Sequence, residues 1–187
     1  MGRLIYSALC SVDGYTADAD GGFDWAAPSD DVHAALNDVH RGVGTQLLGR
    51  RMYEVLKVWE TMDVAGSAAM TDFQGLWRGS DKVVYSTTLD AVETPRTRVV
   101  REFDAGEVRA MKSAGDLSIG GPHLSAEALR AGIVDDIHLF VSPIVVGGGT
   151  AVFPDGVRLD LELAAERPFT DGTVHLHYTP SNPSSPA

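Results

Sequence analysis

The stretch DLSIGGPHLSAEAL, residues 116–129, indicates how the chain folds. It predicts a short buried strand over 116–120, two adjacent glycines, and a helix that begins at Pro122, where the missing N–H of proline costs nothing. A plain turn needs one glycine at most. The pair Gly120-Gly121 therefore suggests a close approach to the backbone, and a helix N-terminus readily binds an anion. The stretch predicts a strand-to-helix junction that is either a structural turn or an anion site.

Strands and helices alternate through most of the chain before the pattern changes. Strands are predicted at 3–12, 45–49, 82–86, 97–101, 135–146, 158–167 and 173–180, and helices at 29–42, 50–59, 67–77, 104–114 and 122–131. The last two strands read as a hairpin. This order predicts an α/β fold with a mixed, mostly parallel central sheet, flanked by helices and completed by antiparallel C-terminal strands. We expect one domain over 1–179 and a disordered tail over 180–187.

Composition excludes several classes of function. The chain has 187 residues and a net charge of −11, which argues against a nucleic-acid partner and against binding to an acidic membrane surface. Cys10 is the single cysteine, so neither an intrachain disulfide nor a cysteine-rich metal site is expected. The first residues lack the apolar core of a signal peptide, and no apolar run is long enough to span a membrane. We therefore expect a cytoplasmic protein that acts on a small molecule.

Two further strand ends resemble the junction at Gly120-Gly121. In LLGRRMY, Gly49 ends a strand and Arg50-Arg51 open a helix, where arginine opposes the helix dipole unless an anion lies nearby. In VVYSTTL, the hydroxyls of Ser86 and Thr87 follow a strand. Because the carboxyl ends of parallel strands meet at one edge, these groups together predict a site for a phosphate-rich ligand. A solvated helix start and a turn-capping cluster remain the alternatives, and neither a Rossmann glycine motif nor a P-loop is present.

The order of ALCSVDGYTA, WAAPSD, LLGRRMYE, KVVYSTTL, SIGGPHL and VDDIHLFVSPIVVGGGTAVFPD resembles the dihydrofolate reductase superfamily. It is most similar to the branch that contains the C-terminal reductase domain of the bifunctional deaminase-reductase of riboflavin biosynthesis. The resemblance covers about residues 3–179. It implies a dihydrofolate-reductase-like fold and hydride transfer from NADPH.

The resemblance also implies a set of cofactor-binding residues. They are Ala8 and Leu9 beside the nicotinamide, Gly49, Arg50 and Arg51 near the phosphates, Ser86 and Thr87 at the adenosine end, and Gly120, Gly121, Pro122, His123 and Leu124 at the pyrophosphate. Either Arg50 or Arg51 would favour the 2′-phosphate. His123 would approach the cofactor or only cover the start of its helix. Met52 departs from the family, since dihydrofolate reductases have a phosphate-binding threonine there.

On the substrate side, the resemblance places Asp30 of WAAPSD where dihydrofolate reductases have a buried acid. A half-buried carboxyl with a raised pKa can help to protonate a C=N bond that accepts hydride. The alternative is that Asp30 and Asp31 only suit the first turn of a helix. Trp25 would wall the substrate pocket or pack in the core, and Asp13 of SVDGY would touch substrate or cap a turn. Asp31 is a further candidate for substrate binding.

Other positions depart from the relatives on this side. Ile119 replaces a glutamate that the riboflavin branch often has before its Gly-Gly, and Val141 or Ser142 stands near the usual partner threonine of the acid. No deaminase segment is present. His138, His175 and His177 are expected to face solvent, without a metal. Gly147–Gly149 are expected to form a tight turn or bulge close to bound cofactor, because three glycines at a strand end leave room for another backbone.

The resemblance thus implies an NADPH-dependent reductase of a small nitrogen heterocycle, similar to the 5-amino-6-(5-phosphoribosylamino)uracil reductase of riboflavin biosynthesis. The alternatives are dihydrofolate reductase activity, a catalytically silent NADPH-binding module, and a phosphate-binding protein without nicotinamide chemistry. Members of this branch often form homodimers, and an exposed antiparallel edge such as TVHLHY, residues 173–178, could serve that purpose.

Overall fold

The structure is a computed structural model that describes residues 1–181. The strands are β1 Leu4–Ser11, β2 Tyr15–Ala17, β3 Val43–Gly49, β4 Asp81–Tyr85, β5 Thr97–Val100, β6 Asp116–Gly120, β7 Asp136–Ser142, β8 Thr150–Ala151, β9 Leu161–Pro168 and β10 Val174–Pro180. The α-helices are α1 Asp30–His40, α2 Arg50–Leu56, α3 Ala68–Gly79, α4 Ala105–Met111 and α5 Pro122–Arg130. None of these helices is long and apolar enough to cross a membrane.

Eight strands form one sheet in the order β5-β4-β3-β6-β1-β7-β10-β9, and β2 and β8 form a small separate pair. Every neighbouring pair from β5 to β7 is parallel, whereas β10 is antiparallel to both β7 and β9. The predicted α/β fold with a mostly parallel sheet and antiparallel C-terminal strands is therefore confirmed. The six parallel strands end at one side of the sheet, which we call the carboxyl edge.

Helices cover both faces of the sheet because successive residues of each strand point to opposite sides. Leu47 belongs to the core cluster that α4 and α5 cover. Its neighbour Leu48 packs instead with Tyr53 of α2 and Trp77 of α3. On that second face, α1 covers Phe140 of β7. A parallel strand buried on both faces explains the short, wholly apolar runs in the sequence.

The C-terminal hairpin β9–β10 differs from the prediction in two respects. First, β10 lies between β7 and β9, so the run TVHLHY is not a sheet edge. The edge strand is β9, and the dimer hypothesis therefore has to be transferred to it. Second, Pro180 still pairs with Leu161, and the Ser181 N–H donates to the Asp160 carbonyl at 2.8 Å. The first two residues of the predicted tail thus belong to the hairpin, and the remainder of that prediction, 182–187, lies outside the described residues.

The three histidines expected to face solvent lie instead on the sheet face that α1 covers. His138 is only 9% exposed, and His175 and His177 are half-buried. The prediction was wrong because alternation along a strand shows that two faces differ but not which of them a helix covers. We call His138, His175 and His177 the imidazole row.

Candidate functional site

The sheet brings the predicted phosphate-binding turns side by side at the carboxyl edge. Gly49 of β3 pairs with Tyr85 of β4, and Leu48 of β3 pairs with Gly120 of β6. We call the three turns that follow these strands the turn cluster: residues 49–51, 86–88 and 120–124. The sequence argument that carboxyl ends of parallel strands meet is therefore correct for these three.

Packing and backbone conformation within the chain account for both glycines of the Gly120-Gly121 pair. A Cβ built on Gly120 would lie 3.3 Å from Leu48 Cδ2 and 3.3 Å from Met52 Cγ, so this position must be small for β6 to pack against α2. Gly121 has a φ of 94°, a conformation that side chains disfavour. Met52, which replaces the threonine of dihydrofolate reductases, thus packs against the glycine turn. These contacts explain both glycines without excluding a ligand beside them.

The N-terminus of α5 offers unpaired backbone donors. Gly121 caps the helix without a side chain, and Pro122 follows as the first helical residue. The N–H groups of His123 and Leu124 have no intrahelical partner, as is usual in a first turn. The His123 side chain is exposed, whereas Leu124 is buried beneath the turn cluster, 3.7 Å from where a Cβ of Gly49 would be.

The two arginines of the turn cluster have different surroundings. Arg50 donates from Nε to Glu54 Oε1 at 2.8 Å and from a terminal nitrogen to Thr88 Oγ1 at 2.7 Å. Arg51 is exposed, and its side chain has no hydrogen-bond partner within residues 1–181. Arg50 therefore ties α2 to the turn after β4, while the Arg51 guanidinium remains available to an anion.

The hydroxyls after β4 also divide into two roles. Ser86 is buried, and its Oγ accepts hydrogen bonds from the N–H groups of Thr88 at 3.2 Å and Leu89 at 3.0 Å. Thr87 is exposed. The turn-capping alternative therefore describes Ser86, whereas Thr87 presents its hydroxyl to solvent and the Thr88 hydroxyl accepts from Arg50.

Ala8 and Leu9, which the resemblance places beside the nicotinamide, are both half-buried in the carboxyl half of β1. They pair with Leu139 and Phe140 of β7. The backbone of β1 is thus paired with β7 at these positions, and both residues lie in the sheet just before its carboxyl edge.

The second part of the edge is the segment that follows β1. We call residues 13–31 the acidic segment, since they contain six aspartates and no lysine or arginine. Asp13 accepts hydrogen bonds from the N–H of Val146 at 3.2 Å and of Gly147 at 2.7 Å. Hydrogen bonds from the Ser11 hydroxyl and from these amides hold its pKa below the ordinary value. This arrangement favours the turn-capping alternative for Asp13.

The glycine turn after β7 receives the backbone of the acidic segment. A Cβ on Gly149 would lie 2.1 Å from the Ala17 carbonyl oxygen, and the φ of Gly149 is 132°. Gly147 has a φ of 79° with no atom within 4 Å of its Cβ position. The expectation that these glycines leave room for another backbone is confirmed at Gly149.

Asp30 and Asp31 are more exposed than the hypothesis of a half-buried catalytic acid requires. Asp30 is exposed rather than half-buried, and its Oδ1 accepts a hydrogen bond from the Ser67 hydroxyl at 3.1 Å. Asp31 is exposed as well. Trp25 is half-buried, and its indole N–H donates to the Gly22 carbonyl at 3.2 Å. Spacing alone does not reveal how much of a helix N-terminus is covered.

Two positions that depart from the relatives point away from the edge. Ile119 is 1% exposed within the core beneath α4 and α5, and Val141 packs against the same cluster. Ser142, at the end of β7, is buried. Ile119 and Val141 are thus apolar core residues that offer no polar group to a substrate.

An aromatic cluster that sequence analysis missed lies next to Asp30. His33, one turn further along α1, packs against Trp59 at 5.7 Å and Phe73 at 5.6 Å between ring centroids. Burial lowers the pKa of His33 although Asp30 and Asp72 oppose the shift. The only available signal was the i, i+3 spacing of Asp30 and His33 on α1.

Comparison with known proteins is consistent with this architecture. The family model of the RibD C-terminal domain matches residues 3–175. The chain belongs to the RibD C-terminal domain family. This family is that of RibD reductase domains, which makes the chain an oxidoreductase by descent.

One curated protein is similar in sequence over most of the chain, and solved structures share its fold. Protein YyaP of Bacillus subtilis (strain 168) is 25% identical over 183 residues, which cover 94% of each chain. A protein assigned to riboflavin biosynthesis from Shewanella sp. PV-4 has a TM-score of 0.77 at 18% identity, covering 96% of this chain and 99% of that chain. A dihydrofolate reductase from Enterococcus faecalis, solved with NADP(H) and the compound RAB-propyl, has a TM-score of 0.66 at 15% identity, covering 97% and 98%.

Proposed function

We propose that the chain is an NADPH-dependent reductase of a small nitrogen heterocycle, with chemistry similar to that of the 5-amino-6-(5-phosphoribosylamino)uracil reductase of riboflavin biosynthesis. The observation that carries the proposal is the turn cluster, in which three neighbouring strand ends present free backbone N–H groups, an exposed hydroxyl and an exposed guanidinium. The family, which is that of reductase domains, supports the same reaction class.

The residues of the turn cluster fit a dinucleotide. The uncapped N-terminus of α5 would bind the pyrophosphate through the N–H groups of His123 and Leu124, where the helix dipole favours an anion. Arg51 would bind the 2′-phosphate, because Arg50 already bonds to Glu54 and Thr88. When bound, NADPH supplies the hydride, and the protein supplies orientation and electrostatics.

The acidic segment supports a substrate without a phosphate group. From residue 4 to residue 40 the chain has seven aspartates and neither lysine nor arginine. Arg41, which follows α1, is paired with Asp38 and Asp72, and Lys57, which follows α2, is paired with Glu93. A substrate phosphate would therefore be repelled there and would lack a free partner. We accordingly propose a neutral or cationic heterocycle in preference to a phosphoribosyl compound.

Asp30 remains a hypothesis for proton delivery. Its position at the start of α1 is the one that the resemblance implies, but it lacks the burial that distinguishes a catalytic acid from a solvated one. The proposal therefore allows water to supply the proton directly, with Asp30 accepting the Ser67 hydroxyl.

The test has a binding arm and a turnover arm. Calorimetric titration with NADPH and with NADH measures the two affinities, and NADPH absorbance at 340 nm follows turnover with dihydrofolate, the phosphoribosylaminouracil and its dephosphorylated counterpart. We expect NADPH binding in preference to NADH, and faster oxidation with unphosphorylated heterocycles. Absence of binding at millimolar NADPH would overturn the cofactor assignment.

A catalytically silent NADPH-binding module is the second candidate, and the burial of Ile119 in the core favours it. That position often has a substrate-binding glutamate in the riboflavin branch, and here it presents no polar group at all. The two candidates differ in one result: a silent module would bind NADPH with the same affinity but would oxidise it with none of the panel compounds.

A further inference from the structure

The imidazole row spans the interface between the paired strands β7 and β10. His138 pairs in register with His177, and Phe140 with His175. The rings of His138 and His177 stack with centroids 4.0 Å apart and an interplanar angle of 13°, and those of Phe140 and His175 stack at 4.3 Å and 6°. The side chains that join the C-terminal hairpin to the parallel sheet on this face are thus three titratable rings and a phenyl ring.

Hydrogen bonds fix where protons sit in the row. His177 Nε2 is 2.7 Å from Asp136 Oδ1, and because a carboxylate only accepts, this nitrogen carries its proton. Asp136 Oδ2 lies 2.6 Å from Arg3 Nε. His138 Nδ1 is 2.9 Å from His175 Nε2, so one of these nitrogens donates and the other accepts. His138 and His175 therefore cannot both be imidazolium ions while this bond exists.

The charges around His138 and His175 do not compensate a further proton. Among residues 1–181, Asp136 on β7 is the one carboxylate bonded to the row, and its partners are His177 and Arg3. Arg3 before β1 and Arg167 on β9, which pairs with His175, are permanent cations, and His40 on α1 bonds to the Ser7 hydroxyl of β1 at 2.9 Å. At this end of α1, Arg41 pairs with both Asp38 and Asp72.

A metal ion is the obvious alternative occupant, but the ring geometry argues against it. Ligand-type atoms of Asp136, His138 and His177 lie within 4.8 Å of one another. An imidazole lone pair lies in its ring plane, and zinc binds about 2.1 Å along it. Nearly parallel rings 4.0 Å apart cannot both direct lone pairs at one ion unless a ring turns out of the stack. Both oxygens of Asp136 are also already bonded.

We propose that the imidazole row is an acid-sensitive contact. It keeps the hairpin β9–β10 paired with the sheet at neutral pH and releases the hairpin on acidification. On this face the ladder between β7 and β10 is bordered by the row, and β9 beyond it is an exposed edge strand. Protonation of the row places like charges on both sides of the interface between β7 and β10. Release of the hairpin breaks the β7–β10 ladder and leaves the six parallel strands paired.

The direction of the pH dependence follows from the lowered pKa values of the buried histidines. Burial, with neighbouring histidines, lowers the pKa of His138 to about 3, and burial lowers that of His40 to about 4. Burial, His177 and Arg167 lower that of His175. In an opened segment an imidazole binds a proton near pH 6.5. The open form thus takes up more protons as the pH falls below about 6.5. The stability that the row gives to the closed hairpin is fully present above that pH and decreases progressively toward the lower pKa values of the closed form.

Hydrogen exchange followed by mass spectrometry tests the proposal on the full chain. Protection factors, corrected for the intrinsic pH dependence of exchange, are compared between pH 7.5 and pH 5.0 for β10 and for the parallel strands β3 and β6. For each imidazole that binds a proton only in the open form, we expect protection of β10 to fall about 30-fold at pH 5.0. Protection of β3 and β6 should stay constant. An equal loss in all three strands would overturn the proposal, because it would show global unfolding.

A variant without titratable rings sharpens the test. His138→Phe with His175→Phe keeps stacked planar rings on β7 and β10 and should reduce the acid-dependent loss of protection in β10 at least 30-fold. His123→Gln removes an exposed histidine outside the row and should leave the wild-type pH dependence unchanged. If the double variant does not fold, NMR titration of the wild-type imidazoles decides: His138 should titrate below pH 5, and titration near pH 6.5 with β10 still protected would overturn the proposal.

Zinc provides the remaining arm. Addition of ZnCl₂ at pH 7.5 should leave the melting temperature and the exchange of β10 unchanged. A stoichiometric stabilisation that is lost in the double variant would overturn the proposal and make the row a metal site.

Discussion

The turn cluster and the acidic segment lie at the same carboxyl edge, but their polar groups are used in opposite ways. In the turn cluster, Arg51 and the first N–H groups of α5 have no partner within residues 1–181. In the acidic segment, the carboxylates of Asp13 and Asp18 accept hydrogen bonds from the chain's own backbone. The unpaired groups of the turn cluster are thus available to a ligand, whereas the paired carboxylates of Asp13 and Asp18 shape the loop.

The largest expected effect is at the contact between the acidic segment and the turn after β7. Gly149→Ala places a Cβ against the Ala17 carbonyl and on a residue with φ of 132°. Because both obstacles are backbone, we expect a loss of about 3 kcal/mol in unfolding free energy. Urea denaturation followed by circular dichroism measures it.

Gly147→Ala is the matched control for that variant. Gly147 also has a positive φ, 79°, but open space at its Cβ position. We expect it to lose no more than about 1 kcal/mol, the cost of the backbone conformation alone. Equal losses in the two variants would show that the close approach at Gly149 carries no energetic weight.

The next largest effect concerns the unpaired arginine of the turn cluster. Arg51→Ala should weaken NADPH binding about tenfold and leave NADH binding nearly unchanged, because only NADPH carries the 2′-phosphate. Isothermal titration measures both. The control is Arg50→Ala, which breaks the bonds to Glu54 and Thr88 and should weaken both cofactors equally and by less. A larger NADPH-specific loss in Arg50→Ala would reverse the assignment.

This contrast also separates what the sequence could predict from what it could not. Gly49 and Gly121 were recognisable because the backbone demands at strand ends and helix starts are local. The mostly parallel sheet followed in the same way from the order of its elements. The exposure of Asp30 and the burial of His138 depend on which distant segments cover them. Residue type and spacing contain no such information.

A smaller effect is expected where the acidic segment is fastened to the turn after β7. Asp13→Ala leaves the N–H groups of Val146 and Gly147 without their carboxylate acceptor. Hydrogen exchange of residues 144–149 should become faster, while the helices keep their protection. Asp20→Ala, on the same segment, should leave this exchange unchanged, since the Asp20 side chain accepts no hydrogen bond within the described residues. A change in catalysis with unchanged exchange would instead favour substrate contact by Asp13.

The smallest expected effect is at Asp30, which is exposed where the resemblance implies a buried acid. Asp30→Asn retains an acceptor for the Ser67 hydroxyl and removes the acidic proton. Since the carboxyl is exposed, we expect kcat with the best panel substrate to change by no more than about twofold, with an unaltered pH profile. Ser67→Ala controls for the loss of the hydrogen bond alone. A kcat that falls tenfold or more in Asp30→Asn and recovers at low pH would assign proton delivery to Asp30, and would require the acidic segment to close over it when substrate binds.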